Sequence, residues 1–183
     1  QKKGQVHWDN LQWVRQYLLE KGFVRPINHV KDYGADGGHF GNDQDAVERF
    51  WRTLVGGGAS IRFHRPTHGL GLSPKAQANI KSARLFTEAF DLTQATPGND
   101  PANITEVEEN EAFLSRIPGK VYAVYFPRKG SVRIALPEGV EAYTLQWLEI
   151  GKSAWAKQQP ATDASLGLTT PGEGQWLVLI RMK

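Results

Sequence analysis

Leu11, Val14 and Leu18 recur at the spacing of one helical face, with Trp8 and Tyr17 beside them. Gly22 stands where a left-handed residue would stop that helix. Residues 23–30 then read as a strand, broken near its start by Arg25-Pro26. A polar loop, YGADGGHFGND, leads into a second helix capped by Asn42 or Asp43 and running to Val55. Its inward stripe is Ala46, Val47, Phe50, Trp51 and Leu54, and Gly56 closes it. A short strand follows at Ser60–Phe63. Ser73 as N-cap and Pro74 as first helical residue open a third helix, which reaches about Phe90 with Ala76, Ile80, Ala83 and Phe86 or Leu85 facing inward.

This order, helix–strand–helix–strand–helix, favours a parallel pairing with helical crossovers. Two strands make a poor sheet. The pattern fits the last units, seven and eight, of a (β/α)8 barrel of the TIM type, whose other strands come from preceding chain or from a second copy that completes the sheet. Beyond it, residues 121–126 and 131–136 flank Pro127-Arg128-Lys129-Gly130 and read as a hairpin. Further strands are expected at 143–150 and 175–182, the first closed by a tight connection at Gly151-Lys152-Ser153. Val132, Ile134 and Leu136 alternate with Arg133 and Ala135, as in a strand with one dry face. The segments near Val121 and Trp176 alternate less and are expected to lie centrally. Short strands at this spacing suggest a small antiparallel β-sandwich. The fold class is therefore α/β plus all-β. Residues 1–92 form the carboxyl-terminal part of the barrel, 93–106 (rich in Pro, Gly and small polar residues) a linker, and 107–183 the sandwich.

Composition narrows this picture only modestly. The chain has 183 residues, 40% hydrophobic and 22% charged, enough to build a core, and its net charge is +3. No block of basic residues marks a nucleic-acid footprint, so no nucleic-acid partner is expected. The apolar runs are too short to span a bilayer, so no membrane partner is expected either. Cysteine is absent, which removes disulfides, thiolate metal sites and thiol nucleophiles. Compartment stays open, and a secreted or periplasmic parent is compatible. The first residues, Gln-Lys-Lys-Gly-Gln, include no Met and no apolar signal core, so the chain is expected to be a piece of a longer protein.

The richest stretch for chemistry is GGGASIRFHRPTHGLGL, from Gly56 to Leu72. Arg62 and His64 lie two apart on an expected strand and so share a face. An Arg there binds carboxylate or hydroxyl oxygens, and a His positions a hydroxyl or relays a proton. Arg65 and His68 follow. His64 and His68 are separated by a Pro-containing turn, with no HExxH and no carboxylate cluster, so neither a metal nor any other cofactor is expected. The glycines at Gly56 to Gly58 follow a helix and precede a strand, the reverse of a phosphate loop.

A second group surrounds the end of the first strand: Asn28, His29, Lys31, Asp32, Tyr33, Asp36, His39 and Asp43. Asp32 is the best candidate for a catalytic carboxylate, provided a second carboxyl lies about 5–10 Å away. A turn-forming Asp is the structural alternative. Among the six Trp, Trp51 reads as core, as do Trp147 and Trp176. Trp155, in a polar segment, is the one expected to be exposed and able to stack on a sugar ring.

With these residues in place, the chain resembles the carboxyl-terminal part of a bacterial glycoside-hydrolase-like family. The segments that carry the resemblance are RPINHVKDYG, AVERFWRTLVGGGASIRFHRP, GLGLSPKAQANIKSARLF, VYAVYFPRKGSV and EGQWLVLIRMK. Members join a (β/α)8 barrel related to apiosidase-type hydrolases to a small β-sandwich, labelled as the collagen-binding domain of a collagenase. The resemblance implies a carbohydrate substrate or glycan as partner. It implies a site lined by Asp32 as catalytic carboxylate and by His39, Arg62, His64 and Arg65 as substrate-binding residues. It also departs from the pattern. A Glu commonly ends the seventh barrel strand as nucleophile, and here Lys31 and Asp32 stand instead. The acid/base carboxylate would lie before residue 1, so this chain alone is expected to hydrolyse nothing. Two other classes remain open: a non-catalytic carbohydrate- or matrix-binding module worked by the sandwich through Trp155, and an accessory domain with no ligand.

Overall fold

A computed structural model of the chain describes residues 2–34, 40–162 and 166–183. The first half builds α1 (Gly4–Glu20), β1 (Asn28–Asp32), α2 (Asp43–Val55), β2 (Ser60–Phe63) and α3 (Pro74–Ala89). β1 and β2 pair in parallel, Asn28 opposite Ser60, with α2 as the crossover. The caps follow the sequence closely. The Asn42 side chain accepts from the Gln44 and Asp45 amides while Asp45 returns a bond to the Asn42 amide. Ser73 caps α3, with Pro74 in its first turn.

Two elements are displaced from their expected places. The first strand begins at Asn28 rather than near residue 23, and Val24 is 89% exposed. Pro26 has no amide to give a ladder, and pairing starts only where the chain comes alongside Ala59 and Ser60. On α3 the buried stripe is Ala76, Asn79, Ser82, Ala83 and Phe86, and Ile80 is exposed. Asn79 takes the inward position because its Oδ1 accepts the Trp51 indole N–H at 2.8 Å.

The second half forms β3 (Thr96–Pro97), β4 (Ile104–Thr105), β5 (Phe113–Ile117), β6 (Val121–Phe126), β7 (Ser131–Ile134), β8 (Tyr143–Glu149), a single 3-10 turn at Ile150–Lys152, β9 (Ala154–Trp155), β10 (Gln159–Ala161), β11 (Leu166–Thr169) and β12 (Trp176–Met182). They make two antiparallel sheets. The larger runs β10-β8-β12-β6-β5-β3, with β9 also on β8, and the smaller runs β11-β7-β4. The expected hairpin between β6 and β7 does not form. Both edges of β6 are taken, by β5 and β12, so residues 127–130 carry the chain across to the smaller sheet. The stretch expected to be a linker also has a different role. It contributes β3 to one sheet and β4 to the other.

The larger sheet is covered on both faces. Val124, Phe126, Val178 and Ile180 meet Val132, Ile134, Leu166 and Leu168 of the smaller sheet. On the opposite face Ala123, Tyr125, Leu177 and Leu179 meet Trp8, Phe50, Trp51 and Phe86 from the three helices. Double coverage explains why β6 and β12 are continuous apolar runs rather than alternating ones. The helices and the larger sheet therefore share one core. Ser82 and Ser153 add polar ties across it, with Ser82 Oγ donating to the Ile150 carbonyl at 2.6 Å and Ser153 Oγ to the Ala78 carbonyl at 2.9 Å.

α2 lies at the centre of this arrangement, buried without a break from Ala46 to Val55. Its charged residues must be neutralised inside. Arg52 pairs with Glu48 at 2.5 Å, donates to Asn110 and lies 5.0 Å from the Phe113 ring. His7 of α1 is likewise buried, its Nε2 3.0 Å from Thr53 Oγ1. Burial, with the nearby charges of His29, Arg52 and Arg49, pulls its pKa down to about 3.

Two outcomes follow from this packing. Residues 107–183 expressed alone should show no cooperative thermal transition, because the face carrying Tyr125, Leu177 and Leu179 loses its helical cover. A transition matching that of the 183-residue chain would show that the sheets stand without the helices. His7 makes stability depend on pH. Folded His7 stays neutral while the unfolded residue protonates below about 6.5. The unfolded state then binds more protons, so stability is full above pH 6.5 and is lost as pH falls toward 3. Chemical denaturation of His7→Gln should be less pH-dependent than the parent in that window, by up to about 1.4 kcal/mol per pH unit. Identical slopes would mean His7 is not held neutral.

Candidate functional site

β1 and β2 run parallel, so both end at the same edge, where α/β folds present their functional groups. A register irregularity between His29 and Asp32 governs what each residue faces. Before it, Asn28 and Val30 are exposed beside Ser60 and Arg62 of β2, forming an open face on the side away from α2. Ser60 Oγ donates to Asn28 Oδ1 at 2.9 Å, and Arg62 Nε donates to the Val30 carbonyl at 2.5 Å. After the irregularity the extra residue rotates the strand, and Asp32 turns inward toward α2.

There Asp32 accepts from Arg49 Nε at 2.7 Å, both side chains fully buried. Arg49 Nη2 also donates to the Tyr33 carbonyl. Burial pushes the Asp32 carboxyl up to about 7, against the opposing pull of Arg49 and then Arg52. A carboxylate sealed in this way cannot reach a substrate on the open face. Asp32, expected as a catalytic carboxylate, thus lies against Arg49 rather than on the open face, and its contacts fix the backbone that follows β1.

That backbone carries the aromatic residues of the edge. The Tyr33 ring lies 4.6 Å from Phe40 and 4.4 Å from His64, and His64 lies 6.5 Å from His68. The turn after β2 is held against the end of β1, with the His64 amide bonded to the Asp32 carbonyl at 2.9 Å. The Gly71 amide closes back on the His64 carbonyl at 2.5 Å, and Gly71 itself has φ +54°. At Gly69 a Cβ would come within 3.0 Å of His64 and 3.2 Å of the Asp32 carbonyl, so the two strand ends approach closely there and a side chain would crowd them. Partial desolvation, then the charges of Lys31, Arg65, His68 and Arg62, hold His64 below its usual pKa.

The other expected residues are scattered. β2 ends at Phe63, so the two-residue spacing of Arg62 and His64 does not put them on one strand face. Arg62 and Arg65 instead border a groove of about 580 Å³ along the outer edge of β2, walled by Phe50, Ile61, Phe63, Leu72 and Ile80. A second groove, about 340 Å³, follows β1 and is lined by His7, Leu11 and Thr53 among others. His39 lies outside the described residues. Trp155, expected to be exposed, is half-buried and packs against the core shared by helices and sheet. An exposed aromatic pair stands on α1, where Trp13 and Tyr17 stack at 5.7 Å. Among the described residues no group of three or more His, Cys, Asp or Glu is placed to hold a metal ion. Sequence reasoning missed Phe40 and Arg49. An arginine inside an apolar helical stripe was the available signal for the latter, because such a residue demands a buried partner.

No protein-family model matches the chain, and no curated protein matches it. Its fold does match solved structures. One is a glycoside hydrolase, 10% identical, with a TM-score of 0.71 over 95% of this chain and 46% of the other. Another is a glycoside hydrolase family 5 protein from Bacteroides vulgatus ATCC 8482, 12% identical, also with a TM-score of 0.71, over 95% and 45%. At such identities the likeness is one of fold. The chain spans a little under half the length of these glycoside hydrolases, and over that span its helices and sheets are arranged as theirs are.

Proposed function

We propose that the chain is the carboxyl-terminal part of a glycoside hydrolase, supplying the last two βα units of its barrel and the antiparallel sheets that brace them. The observation that carries this reading is the unfinished parallel pair. Among the described residues β1 and β2 pair only with each other, and a groove borders each strand on its outer side. The face carrying Asn28, Val30, Ser60 and Arg62 is open, with Val30 63% exposed. Further parallel strands on both edges would enclose that face as a barrel interior. The finer assignment, an apiosidase-type barrel and a sandwich with the collagen-binding label, rests on the sequence segments that suggested it.

In this reading the edge of β1 and β2 is one wall of the site. Arg62, His64 and Arg65 bind substrate, while Asp32 acts as a positioning residue that holds Tyr33 through Arg49. Cleavage of a glycosidic bond needs two carboxyl groups flanking it. With Asp32 sealed, both come from chain outside these 183 residues. The rival reading, a binding module worked through Trp155, draws less support, because that ring is partly buried against the core.

The 183-residue chain should not release chromophore from a panel of aryl glycosides, whereas a longer version including the upstream coding sequence should, with Arg62→Ala in it raising KM. Turnover by the 183-residue chain alone would overturn the proposal.

A further inference from the structure

One charged side chain points between the two antiparallel sheets. Along β5, Phe113 and Ile117 join the core under the helices, whereas Leu114 joins the core between the sheets. By the same alternation Arg116 faces the smaller sheet, opposite Tyr122 of β6. Arg116 is half-buried, and its Nε is closed off from water with no acceptor. Its side chain makes no hydrogen bond or ion pair among the described residues. A guanidinium N–H in that position is costly, so its presence there calls for a reason.

The surroundings leave room for a ligand. Arg116 and Tyr122 border a cleft of about 310 Å³ at one end of the sheets, between Asn103 before β4, the Pro118-Gly119 turn and Leu136-Pro137 after β7. Tyr122 is 2% exposed, and its hydroxyl has no hydrogen-bond partner among the described residues. Gly98 keeps space beside the arginine, since a Cβ there would lie 3.2 Å from Arg116 Nε and 3.5 Å from Asn103 Nδ2. The Asp100 carboxylate is engaged by the Asn103 side chain and the Ala102 amide.

We propose that this cleft binds a small monocarboxylate with an apolar body. The carboxylate meets the Arg116 guanidinium in paired charge-assisted hydrogen bonds, with the Tyr122 hydroxyl as a further donor. The body lies against Pro118, Leu136 and Pro137. One guanidinium matches one planar, singly charged group, and the lining residues bring no second cation for a phosphate dianion. The cleft lies on the face of the larger sheet turned away from the helices, apart from the edge of β1 and β2.

The test is an NMR titration of the 183-residue chain with benzoate, its neutral isostere benzamide, acetate and inorganic phosphate. It is followed through the amides of Asn103, Arg116, Tyr122 and Leu136. Benzoate should shift these signals and bind about tenfold more tightly than benzamide, the scale of one hydrogen bond to a charged group. Acetate, lacking the apolar body, should bind more weakly than benzoate. Arg116→Gln should bring benzoate to the affinity of benzamide, and Arg116→Lys, which keeps the charge but not the fork, should recover only part of the difference. Equal affinity of the parent chain for benzoate and benzamide would overturn the proposal, because the carboxylate would then go unrecognised. Phosphate or acetate binding as tightly as benzoate would show an unselective anion contact and would overturn it too, as would no response to benzoate. The glycosidase reading stands or falls separately, on turnover by the longer chain.

Discussion

The uninterrupted burial of α2 is the constraint on which the rest of the structure depends. A helix covered on every side from Ala46 to Val55 can carry Glu48, Arg49 and Arg52 only if each charge finds a partner inside. The polar side chains of α2 reach out in three directions. Arg49 reaches the end of β1 at Asp32 and Tyr33. Arg52 reaches Asn110 and Phe113 in the antiparallel half, and Thr53 receives His7 from α1. The polar contacts of one helix thus set the relative positions of the parallel pair, the first helix and the larger sheet.

The same constraint shapes the candidate site. Arg49 holds Asp32 away from the open face, and by gripping the Tyr33 carbonyl it fixes the residue whose ring packs against His64. Arg62 and Arg65 are left exposed at this edge. In the proposed hydrolase this edge recognises substrate and leaves the carboxylate chemistry to other strands.

Much of the fold was legible because local chemistry and tertiary packing agree. Asn42, Ser73 and Pro74 mark helix starts through backbone groups that need capping wherever the helix packs. β6 and β12 were recognisable as central because burial on two faces leaves an unbroken apolar run. What failed depended on partners distant in sequence. Nothing local in residues 121–136 says that β5 and β12 already occupy both edges of β6, so a turn motif read as a hairpin carries the chain between sheets. The short strands β3 and β4 look like a loop because their order comes from the sheets they join. The inward turn of Asp32 follows from an irregularity visible only in the register with β2. Trp155 illustrates the same limit: its neighbours along the chain are polar, and its neighbours in space are core.

The central claim is that β1 and β2 form an unfinished sheet, held on one face by α2 and open along both outer edges. Amide hydrogen exchange on the 183-residue chain tests it strand by strand. Amides pointing outward from β1 and β2 are predicted to exchange at rates near those of an unstructured chain, while those of β6 and β12 stay protected to the limit of global unfolding. Protection along either outer edge equal to that of β6 would contradict the claim, because the sheet would then already be complete, within this chain or through a second copy.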